Sequence, residues 1–376
     1  MRIVRFTTFE ELLPYSGQWN RICGTVPFRS WDWASTWWQY YGQHWDASRE
    51  LFVLGVFDDF DNLVGLAPWY IERSVAFGRL ARFLGSGEVC SDYLDVLSQP
   101  GLENQVAATL ADWFAANLSE YCDRVEMTAI DSSGSMVEKL VEYMGKDVCT
   151  VHRRQGDRCW RIVLPRSVEE YVSRLSKNGR KPFHRIEHRL LGTGRTVLRT
   201  AQTAEEVAES MEILIDLHKR RFMFKGRQTS YGSERFWNFH RDLAQRMLRS
   251  GHLLLHVLDI DGVPAAAEYQ FAGGGTRYAY QAGIDPDRLK LSPGRVIMVA
   301  LVRWAISQGY HTLDLMRGDE AYKAHWRAKP HECLEIRIVP SRIAPQFRHS
   351  MWLAGTNTYS WLQEGVKQMI PTRNSE

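Results

Sequence analysis

The chain has 376 residues, 44% of them apolar and 24% charged, with a formal net charge of +3. That length points to about two domains, that composition excludes a disordered chain, and so small a net charge excludes recognition of nucleic acid by the molecule as a whole. No window approaches the roughly 18 apolar residues of a membrane-spanning helix; the best run, 296–306, contains Arg303.

The first six residues read as a strand and not as a secretory leader, so a cytoplasmic location is expected. The apolar runs 51–57 and 63–71 flank Asp58-Asp59-Phe60-Asp61-Asn62, which is hairpin chemistry. A strand is expected over 93–97, a helix from about 102 to 118 after Gln99-Pro100-Gly101, and a strand over 124–130.

The linking stretch 167–191 opens with a capping pattern, Ser167 with Glu170, and then turns basic through Arg174, Lys177, Arg180, Lys181, Arg185 and Arg189. Pro182 is expected to bend or divide that helix. A second capping pattern, Thr203 with Glu206, opens a helix with Val207, Met211, Leu214, Ile215 and His218 on one face. Strands over 253–259 and 263–271 flank Asp261-Gly262, and a third over 276–282 follows three glycines. Ser292 as cap, Pro293 at the first helical position and Gly309 past the end delimit the next helix, followed by a strand over 311–316. The two halves thus repeat one unit at a spacing of about 190 residues. The stretch from Ala344 onward reads as helical and the tail 371–376 as frayed.

Several patterns are set aside. Cys23, Cys90, Cys122, Cys149, Cys159 and Cys333 have no close pairing, so neither a zinc ribbon nor a dithiol motif is written and buried reduced thiols are expected. His184-Arg185-Ile186-Glu187-His188 has the H-x-x-E-H form, but the surrounding cations disfavour a dication and no metal is expected. Trp31, Trp33, Trp37 and Trp38 are assigned to packing.

Tyr278-Ala279-Tyr280, Ser292-Pro293-Gly294, Leu313-Asp314-Leu315 and the segment from Arg317-Gly318-Asp319-Glu320-Ala321-Tyr322-Lys323 to Trp326, with Trp31-Asp32-Trp33 and Ser91-Asp92-Tyr93-Leu94-Asp95 in the first half, resemble the GNAT superfamily in its CelD-like, FemAB-related branch. The resemblance reaches across nearly the whole chain, with the Gly-Asp-x-x-Tyr-Lys segment its most specific piece. It implies a mixed α/β (α+β) fold of two tandem GNAT-like domains, each a mostly antiparallel mixed sheet flanked by helices. The expected division is an N-terminal domain over 1–160, a C-terminal acyltransferase domain over 161–345 with a basic helical entry segment, and a helical extension and tail over 346–376.

The implied chemistry is acyl transfer from acyl-coenzyme A, acetyl or longer, to an amine or hydroxyl, in polysaccharide or cell-envelope biosynthesis. Aminoacyl-tRNA as donor and a non-catalytic exopolysaccharide scaffold are the alternatives. Partners are then a small-molecule or glycan-precursor acceptor, with tRNA and a peripheral membrane surface as other readings of the basic stretch and no role for DNA. The cofactor pyrophosphate is expected at Ser292, Gly294, Arg295 and Val296, where a helix N-terminus offers N–H groups and positive potential; capping alone accounts for the same residues. Asp319 or Glu268 is the expected base, Tyr280 and Tyr322 are candidate proton donors, and Lys323 is a candidate anion ligand. Asp319 as a helix cap and Glu268 as a solvent-facing strand residue are the structural readings of the same positions. In the first half Glu103 puts a carboxylate at the matching helix start, so the cofactor is assigned to the second half.

Overall fold

The computed structural model describes residues 1–74, 78–145, 148–226 and 229–354. The expected tail 371–376 and most of the expected extension lie outside them, while 343–354 is helical. Thirteen strands enter one mixed sheet: β1 Arg2–Phe6, β2 Arg49–Phe57, β3 Leu63–Ser74, β4 Gly78–Phe83, β5 Leu97–Ser98, β6 Arg124–Asp131, β7 Cys149–Val163, β8 Thr196–Thr200, β9 Leu253–Ile260, β10 Val263–Gly273, β11 Thr276–Ile284, β12 Thr312–Arg317 and β13 Lys329–Pro340. The helices are α1 Phe9–Leu12, α2 Ser16–Ile22, α3 Trp31–Tyr41, α4 Glu103–Tyr121, α5 Met136–Tyr143, α6 Val168–Arg174, α7 Lys177–Arg189, α8 Ala204–Phe224, α9 Glu234–Arg249, α10 Pro293–Ser307 and α11 Tyr322–His325.

Each half carries the same unit. β2, β3 and β4 run antiparallel, α4 crosses over, and β6 returns parallel to β4; β9, β10 and β11, then α10, then β12 repeat that path. A parallel return needs a crossover of this length, and a helix supplies it while covering the sheet face. The closing strands are exchanged: β7 pairs with β12 of the second half, β13 with β6 of the first, and β7 and β13 with each other. β7 runs across the 160/161 boundary expected from sequence, and the two halves share one continuous sheet.

Local chemistry explains the element ends. Thr203 Oγ1 accepts from Glu206 N and the Glu206 carboxylate accepts from Thr203 N, so both capping bonds of α8 form. Asp261 and Gly262 both take positive φ, 53° and 76°, as a tight hairpin of this hand requires. Three expectations change. α7 is not divided at Pro182, which lies within one helix from Lys177 to Arg189. Ser292 is left-handed, with φ of 54°, and its side chain makes no capping bond. Over 93–97 there is no strand: Tyr93 takes φ of 62°, and only Leu97 and Ser98 pair, with β3. Polar side chains there bond to backbone in place of a ladder.

Two apolar clusters sandwich the sheet. The larger joins the first half to α8, α9 and the β10–β11 face bearing Tyr269, Phe271 and Tyr278. The smaller lies on the other face, among α6, α7, α10 and the β12 residues Leu313 and Leu315. The tryptophans of α3 are packing residues, Trp33 and Trp37 being buried.

Candidate active site

In both halves the parallel strand pair separates soon after it forms. β11 and β12 are hydrogen-bonded only over Thr276–Tyr278 and Thr312–Asp314, after which they diverge. A cavity of about 1000 Å³ opens in that gap, lined by Ala279 to Ala282 on one side and Leu315 to Arg317 on the other. The matching gap between β4 and β6, paired only at Leu80–Ala81, is occupied by the chain itself, with Tyr93 N donating to Ala129 O of β6 at 2.9 Å. The helix behind it is also closed, because the Glu103 carboxylate accepts from Gly101 N at 3.0 Å. The first unit thus fills with its own segment and its own carboxylate the space that the second leaves open.

At the cavity mouth α10 begins. The N–H groups of Arg295 and Val296 turn back to Ser292 O, and Pro293 has none, which leaves the Gly294 N–H at the open helix end. Arg295 is exposed and has no acidic partner among the described residues. A helix N-terminus with an unpaired guanidinium beside it suits a phosphate group. A Cβ added at Gly294 would meet Ile284 Cδ1 at 2.8 Å, so the glycine first serves close packing of α10 against β11. Val296 is buried in the core and presents only backbone.

Of the residues expected from sequence, Glu268, Tyr280, Tyr322, Lys323, Ser292, Gly294 and Arg295 line this one cavity; Asp319 and Val296 do not. Glu268, on β10, is half-buried and accepts from Gln270 Nε2 at 3.3 Å. Burial pushes its carboxyl up to about 7, against the lowering influence of that hydrogen bond and of Arg277. A carboxyl half-ionised near neutral pH is suited to taking a proton.

Tyr280 donates to Val89 O at 2.5 Å, and its oxygen lies 3.1 Å from His240 Nε2. Because the hydroxyl proton goes to the carbonyl, His240 donates to the phenol. Tyr322 is half-exposed, and burial and the neighbouring carboxylates hold its phenol above the ordinary range, hence protonated. Lys323 is buried and gives its three protons to Met316 O, Arg317 O and Gly318 O, at 3.1, 2.9 and 2.9 Å, with Glu320 beside it. It fastens the turn after β12, where Met316 and Gly318 take positive φ. Asp319 faces outward, accepting from Trp160 Nε1 at 3.2 Å, with Arg158 at 3.8 Å.

Residues 177–324 match the family described as an acetyltransferase (GNAT) domain. This chain carries a GNAT-type acyltransferase domain. No curated protein matches the sequence. Among solved structures, FemX superposes with a TM-score of 0.59 at 10% identity, covering 89% of this chain and 97% of its own. A conserved protein of unknown function from Bacteroides thetaiotaomicron gives 0.55 at 11%, covering 90% and 100%. The C-terminal DUF2156 domain of a putative lysylphosphatidylglycerol synthetase from Agrobacterium fabrum gives 0.50 at 9%, covering 86% and 90%. At these identities the likeness is one of fold.

Several lining residues of the GNAT domain's cavity escape sequence reasoning. Glu88, Cys90 and Asp92 come from the first half, where the segment 84–98 fills its own gap and presents its outer side to the second. His218, Phe222 and Phe236 come from α8 and α9; burial lowers His218 to about 4, so it is a neutral wall and not an acid. Leu175 caps the end of α6, and Phe183 and Ile186 come from α7, whose apolar face roofs the gap beside Met298 and Leu301. Two of them gave a prior signal: His218 as a member of the apolar stripe of α8, and Asp92 as part of the Ser91–Asp95 motif. The H-x-x-E-H pattern is spent on local contacts: Glu187 sits between His184 Nδ1, at 3.1 Å, and the Arg303 guanidinium.

Proposed function

We propose that this protein is an acyltransferase that moves an acyl group from a coenzyme A thioester to an amine or hydroxyl, with both substrates meeting in the gap between β11 and β12. The observation that carries this reading is one cavity holding an open helix N-terminus with an unpaired Arg295 at its mouth and a half-ionised Glu268 inside. Beyond Tyr278 the β11 edge no longer pairs with β12, so an extended amide-bearing arm can add to that edge as a strand would.

A bound coenzyme A thioester supplies the activated acyl group. Gly294 and Arg295 hold its phosphates, Ser292 shapes the turn that presents them, and Val296 anchors the helix. Glu268 receives at its carboxylate the proton that the acceptor loses as it attacks. Tyr322, the lining phenol without a hydrogen-bond partner among the described residues, returns a proton from Oη to the departing sulfur. Tyr280, whose proton is engaged by Val89, shapes the wall, and Lys323 holds the β12 turn in place. Asp319, outside the cavity, is dispensable for the chemistry.

Calorimetry with acetyl-coenzyme A and a longer acyl-coenzyme A tests the reading. Binding by the wild type that Arg295→Glu loses supports it; no binding of either compound by the wild type removes it.

A further inference from the structure

We infer that Arg277 and Gln270 form a buried positioning relay that aims Glu268 into the cavity and holds its carboxylate ready to accept a proton. The inference rests on the reading of Glu268 as the base. Arg277 is 0% exposed, and no carboxylate of the described residues lies within ion-pairing distance of it. A buried cation without a counter-ion is costly, so its surroundings must repay the burial. Nη1 donates to Leu301 O at 3.1 Å, Nη2 donates to His256 Nε2 at 2.9 Å and to Gln270 Oε1, and the guanidinium lies over the Trp304 ring, 4.6 Å from its centroid.

These contacts fix proton positions, because a guanidinium only donates. His256 accepts at Nε2 and therefore carries its proton on Nδ1, donating to Thr200 Oγ1 at 2.9 Å. Gln270 must turn its oxygen to Arg277, since the flipped amide would set donor against donor. Its NH₂ then points to Glu268 Oε2 at 3.3 Å. The nearest balance for the buried charge thus lies across one amide, on the one carboxylate proposed to do chemistry.

Few other groups compete for control of Glu268. His256, its neighbour across the β9–β10 ladder, is held neutral by burial and by Arg277. Tyr322 faces it from α11 as a protonated phenol. The lining side chains of α7 and α10 near it are apolar, apart from Asn178 and Arg295 at the mouth.

Gln270→Met keeps the side-chain length and removes the bridge, and a carbon-13 NMR titration of Glu268, assigned with Glu268→Gln, reads the effect directly. The Glu268 midpoint is expected to rise by about one pH unit in Gln270→Met, and the acid limb of kcat/KM to move with it. Arg277→Lys keeps the charge but not the two-pronged contact, and a smaller rise is expected. An unchanged midpoint in folded Gln270→Met overturns the relay. A shifted midpoint with an unmoved rate profile leaves the relay standing and removes Glu268 as the base.

Discussion

Arg317 and Asp92, 225 positions apart in sequence, meet with Nε 2.6 Å from Oδ1, and the Arg317 N–H adds a bond to Oδ2 at 3.3 Å. The pair sits on the cavity wall and joins the two motifs that resemble one family in separate halves. Beside it, Tyr93 Oη donates to Asp314 Oδ2 at 2.7 Å, and Asp314 also pairs with Arg161 at 2.8 Å. Breaking one partner of a buried ion pair leaves the other uncompensated. Asp92→Asn is therefore expected to cost roughly 3 kcal/mol in urea unfolding and to lower activity by loosening the end of β12. Unchanged stability would mean that Arg317 finds another partner, Asp157 at 3.8 Å being the nearest.

Stability should fall in acid for a reason located in α8 and α9. Burial lowers His218 to about 4 and His240 to about 3, well below their unfolded value of roughly 6.5. Below pH 6.5 the unfolded chain binds protons that the folded chain refuses, so stability declines from there until the folded groups titrate, at about 4 and 3. Each imidazole contributes on the order of 3 kcal/mol to that decline. His218→Phe is expected to flatten the slope of unfolding free energy between pH 6.5 and 4, and an equally steep slope would assign the decline to other groups.

The two halves should differ in binding. Arg295→Glu places like charge where the phosphate would sit and is expected to weaken coenzyme A binding at least tenfold in calorimetry. Glu103→Arg, behind a gap already filled, is expected to leave that binding unchanged. Equal losses in the two variants would refute assignment of the cofactor to the second half.

The hairpins, α10 and β12 were legible because their signals are local: apolar runs, an Asp-Gly turn, a proline at the helix start. β7 and β13 were not. Their pairing to each other leaves many of their residues exposed or half-exposed, so β7 reads His152-Arg153-Arg154-Gln155 in its middle, which carries no apolar alternation. The segment from Ser91 to Asp95 misled for the opposite reason. It is buried, yet its aspartates satisfy backbone and charged groups elsewhere, as when Asp95 accepts from Met136 N and Val137 N at 3.0 Å. Glu268 was reached through the resemblance, as one of two expected bases beside Asp319, and the fold puts only Glu268 in the cavity. Nothing local announced Asp92 as the partner of Arg317, because that contact is made by the fold and not by neighbours in sequence.

Tyr322 and Lys323 are adjacent in sequence, and their variants should separate chemistry from scaffolding. Tyr322 is half-exposed at the cavity, so Tyr322→Phe is expected to lower kcat about a hundredfold with KM and Tm little changed, the loss typical of a removed proton donor. Lys323 is spent on three carbonyl oxygens, and Lys323→Met would leave them buried and short of donors. Each unmade bond of that kind costs about 1–3 kcal/mol, so this variant is expected to lose several kcal/mol of stability first and activity as a consequence. Steady-state kinetics beside thermal unfolding distinguishes the two. A stable Lys323→Met with low kcat would move the lysine into the chemistry, and a destabilised Tyr322→Phe with normal kcat would move the tyrosine out of it.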